Sequence, residues 1–161
     1  MDKQIKTLKI ITGKELKNFL DKLNKQFGIK KIPGQIFMRG KERVFLFTGN
    51  FNEEELRNLE KASFIERIGT YIAKIENFGI RLSIEGSQIF KDQITKNFVE
   101  LNEKEKETWM MGHEVLKPSK NTGFVIIKYK NDMLGTGKAS KEKITNFIPK
   151  SRRLKDKTIL E

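Results

Sequence analysis

Three short stretches carry residue types that could do chemistry. In Gly135-Thr136-Gly137-Lys138 a lysine follows two glycines, as in loops that cradle the phosphates of a nucleotide. Such a loop also needs Ser or Thr directly after the lysine, and Ala139 stands there, so ATP binding is rejected. The glycines are expected to let the chain bend between strands, with Lys138 still able to meet a phosphate. In His113-Glu114 a zinc-protease motif begins, but its second histidine would fall at Lys117. The chain has one histidine, so no His-based metal site forms within it, and His113 is expected to pack at a helix end. The third stretch is Lys150-Ser151-Arg152-Arg153. Pro149 stiffens the chain before it, and arginine forks suit phosphate oxygens. Trp109, the one tryptophan, could stack on a base but is expected to anchor a charged helix in the core.

The surroundings of these stretches are basic. Between residues 117 and 157 twelve Lys and Arg face three Asp and Glu, and the whole chain of 161 residues carries a net charge of +12. That balance points to a polyanion partner more than to a merely solvated surface. The absence of cysteine excludes disulfides, zinc knuckles and thiol catalysis. No apolar run approaches the ~18 residues of a membrane span, and Met1 to Lys6 lack the apolar stretch of a signal peptide. A soluble, cytoplasmic protein is expected.

The elements that would position these residues follow from periodicity. Residues 3–11 read as an extended lead-in. Thr12 with Glu15 has the form of a capping box, and Leu16, Phe19, Leu20, Leu23 and Phe27 recur at helical spacing before Gly28. The lysines opposite them, Lys14, Lys17, Lys22 and Lys25, read as a wet face. Ile36–Met38 and Val44–Phe47 predict a hairpin, and Asn52 caps a helix opening on Glu53-Glu54-Glu55. Residues 64–75 and 80–84 predict a second antiparallel pair, and Ser87–Lys91 a helical turn. Further on, Glu103–Met111 predicts a helix. Val115-Leu116, Phe124–Tyr129, Met133-Leu134 and Phe147-Ile148 predict strands.

Gly112-His113-Glu114-Val115-Leu116-Lys117, Gly123-Phe124-Val125-Ile126-Ile127 and Leu134-Gly135-Thr136-Gly137-Lys138 together resemble a PUA domain, the small RNA-binding β-barrel of pseudouridine synthases and archaeosine transglycosylases. Upstream, residues 43–47, 69–74 and 80–84 are similar to the pre-PUA plus PUA layout of the Nip-seven family of ribosome-biogenesis factors. Residues 146–154 resemble the C-terminal PUA-like region of ribosomal-RNA cytosine-5 methyltransferases. The resemblance spans about residues 40 to 155.

It implies an α+β chain: an N-terminal antiparallel sheet with helices as a pre-PUA domain over residues 1–93, then a small PUA-like mixed β-barrel over residues 94–161. It implies a stand-alone, non-catalytic RNA-binding protein acting in ribosome biogenesis or in rRNA or tRNA modification. Neither a glycine-rich nucleotide loop after an early strand nor a catalytic cysteine is present, so no enzyme activity and no cofactor are expected. In PUA domains the helix–strand corner belongs to the RNA-facing groove, which carries over to Gly112, Val115 and Lys117. Lys120, Lys138, Lys141, Lys150, Arg152, Arg153 and Lys155 complete the expected RNA-binding set. The alternative is a protein–protein adaptor or accessory subunit of an RNA methyltransferase, docked on that enzyme or on biogenesis factors.

Overall fold

The computed structural model describes residues 8–155. The strands are β1 (Leu8–Ile11), β2 (Gln35–Arg39), β3 (Arg43–Phe47), β4 (Thr70–Glu76), β5 (Gly79–Leu82), β6 (Phe98–Glu100), β7 (Gly123–Tyr129), β8 (Asp132–Ala139) and β9 (Ile144–Asn146). The α-helices are α1 (Gly13–Phe27), α2 (Glu53–Ala62), α3 (Ile84–Ile89) and α4 (Glu103–Met110). Strands β1 to β5 form one antiparallel sheet in chain order, and β6 to β9 form a second sheet in chain order. The second sheet is mixed, because β6 runs parallel to β7 across the α4 connection. The expected α+β class with an antiparallel sheet first is therefore found. The strand pairings of the second sheet do not by themselves close a barrel.

Local sequence explains most of the element ends. Gly28 terminates α1 in the left-handed region, φ 85°, with its N–H donating to the Asn24 carbonyl. Asn52 and Glu55 make a reciprocal capping box at the start of α2, and Asn102 with Glu105 repeats it at α4. At α1 the expected capping box is not formed: the Thr12 side chain caps nothing, and Glu15 instead pairs with Lys9 at 2.6 Å.

Three hydrophobic clusters set the layers. Leu8, Phe37, Phe45 and Leu56 pack between one face of the first sheet and α2. Trp109, Val125, Ile127 and Ile144 pack between α4 and the second sheet. The largest cluster joins the two halves: Phe19, Leu23 and Phe27 of α1, Val44 and Ile72 of the first sheet, and Phe124, Ile126 and Met133 of the second. Buried polar groups reinforce the joint. Ser87 Oγ accepts from the Gly135 N–H at 2.9 Å, and Thr136 Oγ1 donates to the Leu82 carbonyl at 2.9 Å. Such bonds hold their partners in register because an unmet buried group is costly.

Several local expectations are corrected. Gly135 and Gly137 lie within β8 and do not bend the chain between strands. A Cβ on Gly137 would come within 2.8 Å of the Trp109 indole and 2.5 Å of Ile144, so this glycine makes room for the tryptophan. Val115-Leu116 forms only a single bridge, Val115 to Ile144, and the last strand is Ile144–Asn146 instead of Phe147-Ile148. Residues 64–69 precede β4 as irregular backbone, and α3 begins at Ile84. Residues 3–7 of the expected lead-in lie outside the described residues. No helix among the described residues is long and apolar enough to cross a membrane.

Candidate nucleic-acid interface

A cleft of about 500 Å³ opens between the two halves. Strands β4 and β5 and the start of α3 form one wall, while β8 and residues 147–152 form the other. Arg67, Arg81 and Arg152 line it together with Tyr71. Arg81 lays its guanidinium over the Phe147 ring, 4.5 Å from the centroid, and pairs with Glu76 at 3.1 Å. Its Nε is buried without a hydrogen-bond acceptor. Arg152 pairs with Glu85 of α3, linking the two walls. Tyr71 rests against Phe45, and burial raises its phenol above the ordinary value near 10.0, an effect that the Arg81 and Arg43 charges partly oppose. Guanidinium groups beside apolar and aromatic surface suit an anionic ligand with a planar part. Among the described residues no group of three or more His, Cys, Asp or Glu could hold a metal ion.

The cations expected at the site are dispersed into three environments. Lys117 is held inward: its Nζ donates to the Glu100 carbonyl at 2.8 Å and to Glu105 at 3.1 Å. Arg153 is folded back as well, with Nε donating to the Ile148 carbonyl at 3.0 Å. Its guanidinium occupies the space that a side chain at residue 112 would need, since a Cβ on Gly112 would lie 2.3 Å from Arg153 Nε. Gly112, at φ 88°, therefore serves its own chain. Val115 is a core residue, 3% exposed, with its N–H and carbonyl both bonded to Ile144. At the corner where the resemblance placed RNA, the Val115 backbone groups and the Gly112 N–H are thus bonded within the chain.

The remaining lysines are outward-facing. Lys120, Lys141, Lys150 and Lys155 are exposed and make no ion pair within the described residues. Lys138 is exposed on β8, its Nζ 4.8 Å from the Phe78 centroid. Arg152 lines the cleft, as noted. Trp109 is fully buried and donates to the Leu134 carbonyl at 3.0 Å, as an anchor should. His113 is exposed, contrary to the expected packing at a helix end.

Sequence reading missed Arg67, Arg81 and the aromatic rings beside them. Arg81 alternates with Ile80 and Leu82 on β5, which marked it as the outward side of a strand; only the docking of the second sheet turns that side into a cleft wall.

Residues 96–154 match the family model described as the methyltransferase RsmF PUA domain. The chain carries a PUA-like domain. Over a longer stretch it is similar to ribosomal RNA small subunit methyltransferase F of Aeromonas salmonicida, 30% identical across 87% of this chain and 28% of the relative. The enzyme of the same name from Aeromonas hydrophila is 31% identical over the same shares, and that from Vibrio cholerae 28% identical over 85% of this chain. The chain thus spans a little over a quarter of the length of the curated relatives it matches, 28%. The PUA-like segment contains α4, the second sheet and the basic turn after Pro149. Most of the cations expected to meet RNA lie inside it.

Proposed function

We propose that this chain binds RNA without itself catalysing a reaction, and that the binding serves rRNA modification. One observation carries the reading. The segment similar to the PUA domain of an rRNA methyltransferase is also strongly basic, with fourteen Lys and Arg against seven Asp and Glu between residues 96 and 155. Charge alone would fit any polyanion; the similarity narrows the class to RNA. Lys120, Lys138, Lys141, Lys150 and Lys155 would make phosphate contacts, which fix position without reading sequence. Arg67 and Arg152 would extend that contact at the mouth of the cleft.

The chemistry of modification would come from other residues than these. The compartment proposed is the cytoplasm, and the target rRNA, since the relatives are named as ribosomal RNA methyltransferases. The division at residues 93/94 is proposed as a boundary between two architectural units, the pre-PUA and PUA parts. The shared cluster of Phe27, Val44, Phe124 and Ile126 makes the whole chain the unit to assay.

Binding of the purified chain to rRNA fragments, followed by fluorescence anisotropy across a salt series, tests the reading. About five phosphate contacts to single-stranded RNA give a slope of log affinity against log salt near −3.5. No affinity near physiological salt would overturn RNA binding and favour an adaptor role. Methyl transfer by the purified chain, abolished by a point substitution, would overturn the non-catalytic part.

A further inference from the structure

We propose that a second groove, on the side where α1 meets the β4–β5 turn, is a stacking track for single-stranded RNA. The inference rests on the RNA-binding reading and deepens it by naming where bases lie. The groove measures about 470 Å³ and is lined by Lys22 and Lys25 of α1, by Phe78 at the hairpin tip, and by Asn97 and Phe124.

Phe78 carries the argument. It is 80% exposed, which a phenyl ring does not gain by folding. Lys138 lies 4.8 Å from its centroid, so the ring is presented beside a cation and not against a core. The β-ladder continues the pattern. Lys138 is the cross-strand partner of Phe124, which lines the groove. Phe98 pairs with Ile126, two residues along β7 from Phe124 and so on the same face. Phe98 is 37% exposed, and Lys128 sits 5.5 Å from its ring. Phe78, with Lys138 beside it, therefore lines a groove whose far wall holds Lys22 and Lys25, and Phe98 with Lys128 lies farther along the same sheet face.

Aromatic faces that accept bases, interleaved with cations that follow the backbone, are what unpaired nucleic acid requires. A duplex hides its base faces and gains only the cations. The acid in the groove does not oppose this: Glu76 is already engaged by Lys74 at 3.6 Å and by Arg81 at 3.1 Å. Lys22 and Lys25 make no ion pair among the described residues, so their charge is available to phosphates.

The experiment uses the full chain and a labelled oligouridine of about twelve nucleotides, with an RNA duplex of similar length as competitor. Phe78→Ala should weaken oligouridine binding by roughly fivefold to a hundredfold while leaving the salt slope unchanged, because stacking releases no counterions. Phe78→Trp should restore it. Lys22→Glu with Lys25→Glu should flatten the slope by about 1.4. Phe64→Ala removes a ring of similar exposure, 71%, outside the groove and should change neither quantity. Wild-type affinity in Phe78→Ala, or an equal loss in Phe64→Ala, would overturn the track while leaving RNA binding in place. Duplex competing as well as oligouridine would also overturn it. Failure of the wild-type chain to bind either RNA would overturn both readings together.

Discussion

The turn after Pro149 and the groove beside Phe78 are both basic, yet they use their charge differently. In the turn, Arg153 is bonded to the Ile148 carbonyl and packed on Gly112, and Arg152 is paired with Glu85 across the cleft. The next residue, Leu154, donates its N–H to Met110 at 2.8 Å, so this segment is tied onto the end of α4. In the groove, Lys22 and Lys25 make no ion pair among the described residues, and Lys138 faces an exposed ring. A run of cations in sequence therefore does not measure the charge offered to a ligand. What counts is how many of those groups still have donors to give.

The comparison breaks most readily at the level of binding. Replacing Lys22, Lys25 and Lys138 together by Glu should flatten the salt slope by about two units, as expected for three lost contacts to single-stranded RNA. Replacing Arg152 and Arg153 by Ala should flatten it by less than about one, because each already spends part of its guanidinium within the chain, Arg152 on Glu85 and Arg153 on the Ile148 carbonyl. Equal slopes for the two variants, measured by anisotropy with folding checked by circular dichroism, would erase the distinction.

Stability should move the other way. Gly112→Ala forces a Cβ into the left-handed region and against the Arg153 guanidinium, and should cost about 1–2 kcal/mol in urea unfolding. Adding Arg153→Ala should relieve the steric part, so the double variant should be less destabilised than the sum of the single changes. Simple additivity would mean that Gly112 and Arg153 are not coupled. Arg153→Ala alone should cost about 1 kcal/mol for the lost hydrogen bond.

The smallest effect concerns Tyr71, in the cleft between these regions. Burial raises its pKa in the folded chain above 10.0, so the folded state binds the proton more tightly than the unfolded state does. The resulting stability is present below the unfolded pKa and lost as pH rises through the folded one. Tyr71→Phe should show a shallower loss of stability than wild type above about pH 10. Identical alkaline profiles would contradict the raised value.

Much of the fold was legible because its signals are local. The apolar stripe of α1, the Asn52 cap and the alternation around Arg81 each act within a few residues. What escaped depends on distant contacts. Gly137 reads as a turn until Trp109, nearly thirty residues earlier in the chain, is seen resting on it. Lys22 reads as a solvated face because helical periodicity says only that it points away from α1's own buried stripe. The arrival of the β4–β5 turn and Asn97 converts that face into a groove wall. The basic turn was found, but not the internal partners that occupy its arginines, since Glu85 and Ile148 carry no sequence signal for that role.

The burial of Trp109 has an optical consequence. It is the sole tryptophan, it sits wholly within the cluster under α4, and its indole N–H is bonded to Leu134. Its emission therefore reports solvent entry into the C-terminal layer alone, whereas far-ultraviolet dichroism averages over every helix and sheet. Because Phe124 and Ile126 on the opposite face of β7 are sealed against the first sheet, the two signals should change at one denaturant concentration, as a single cooperative transition would require.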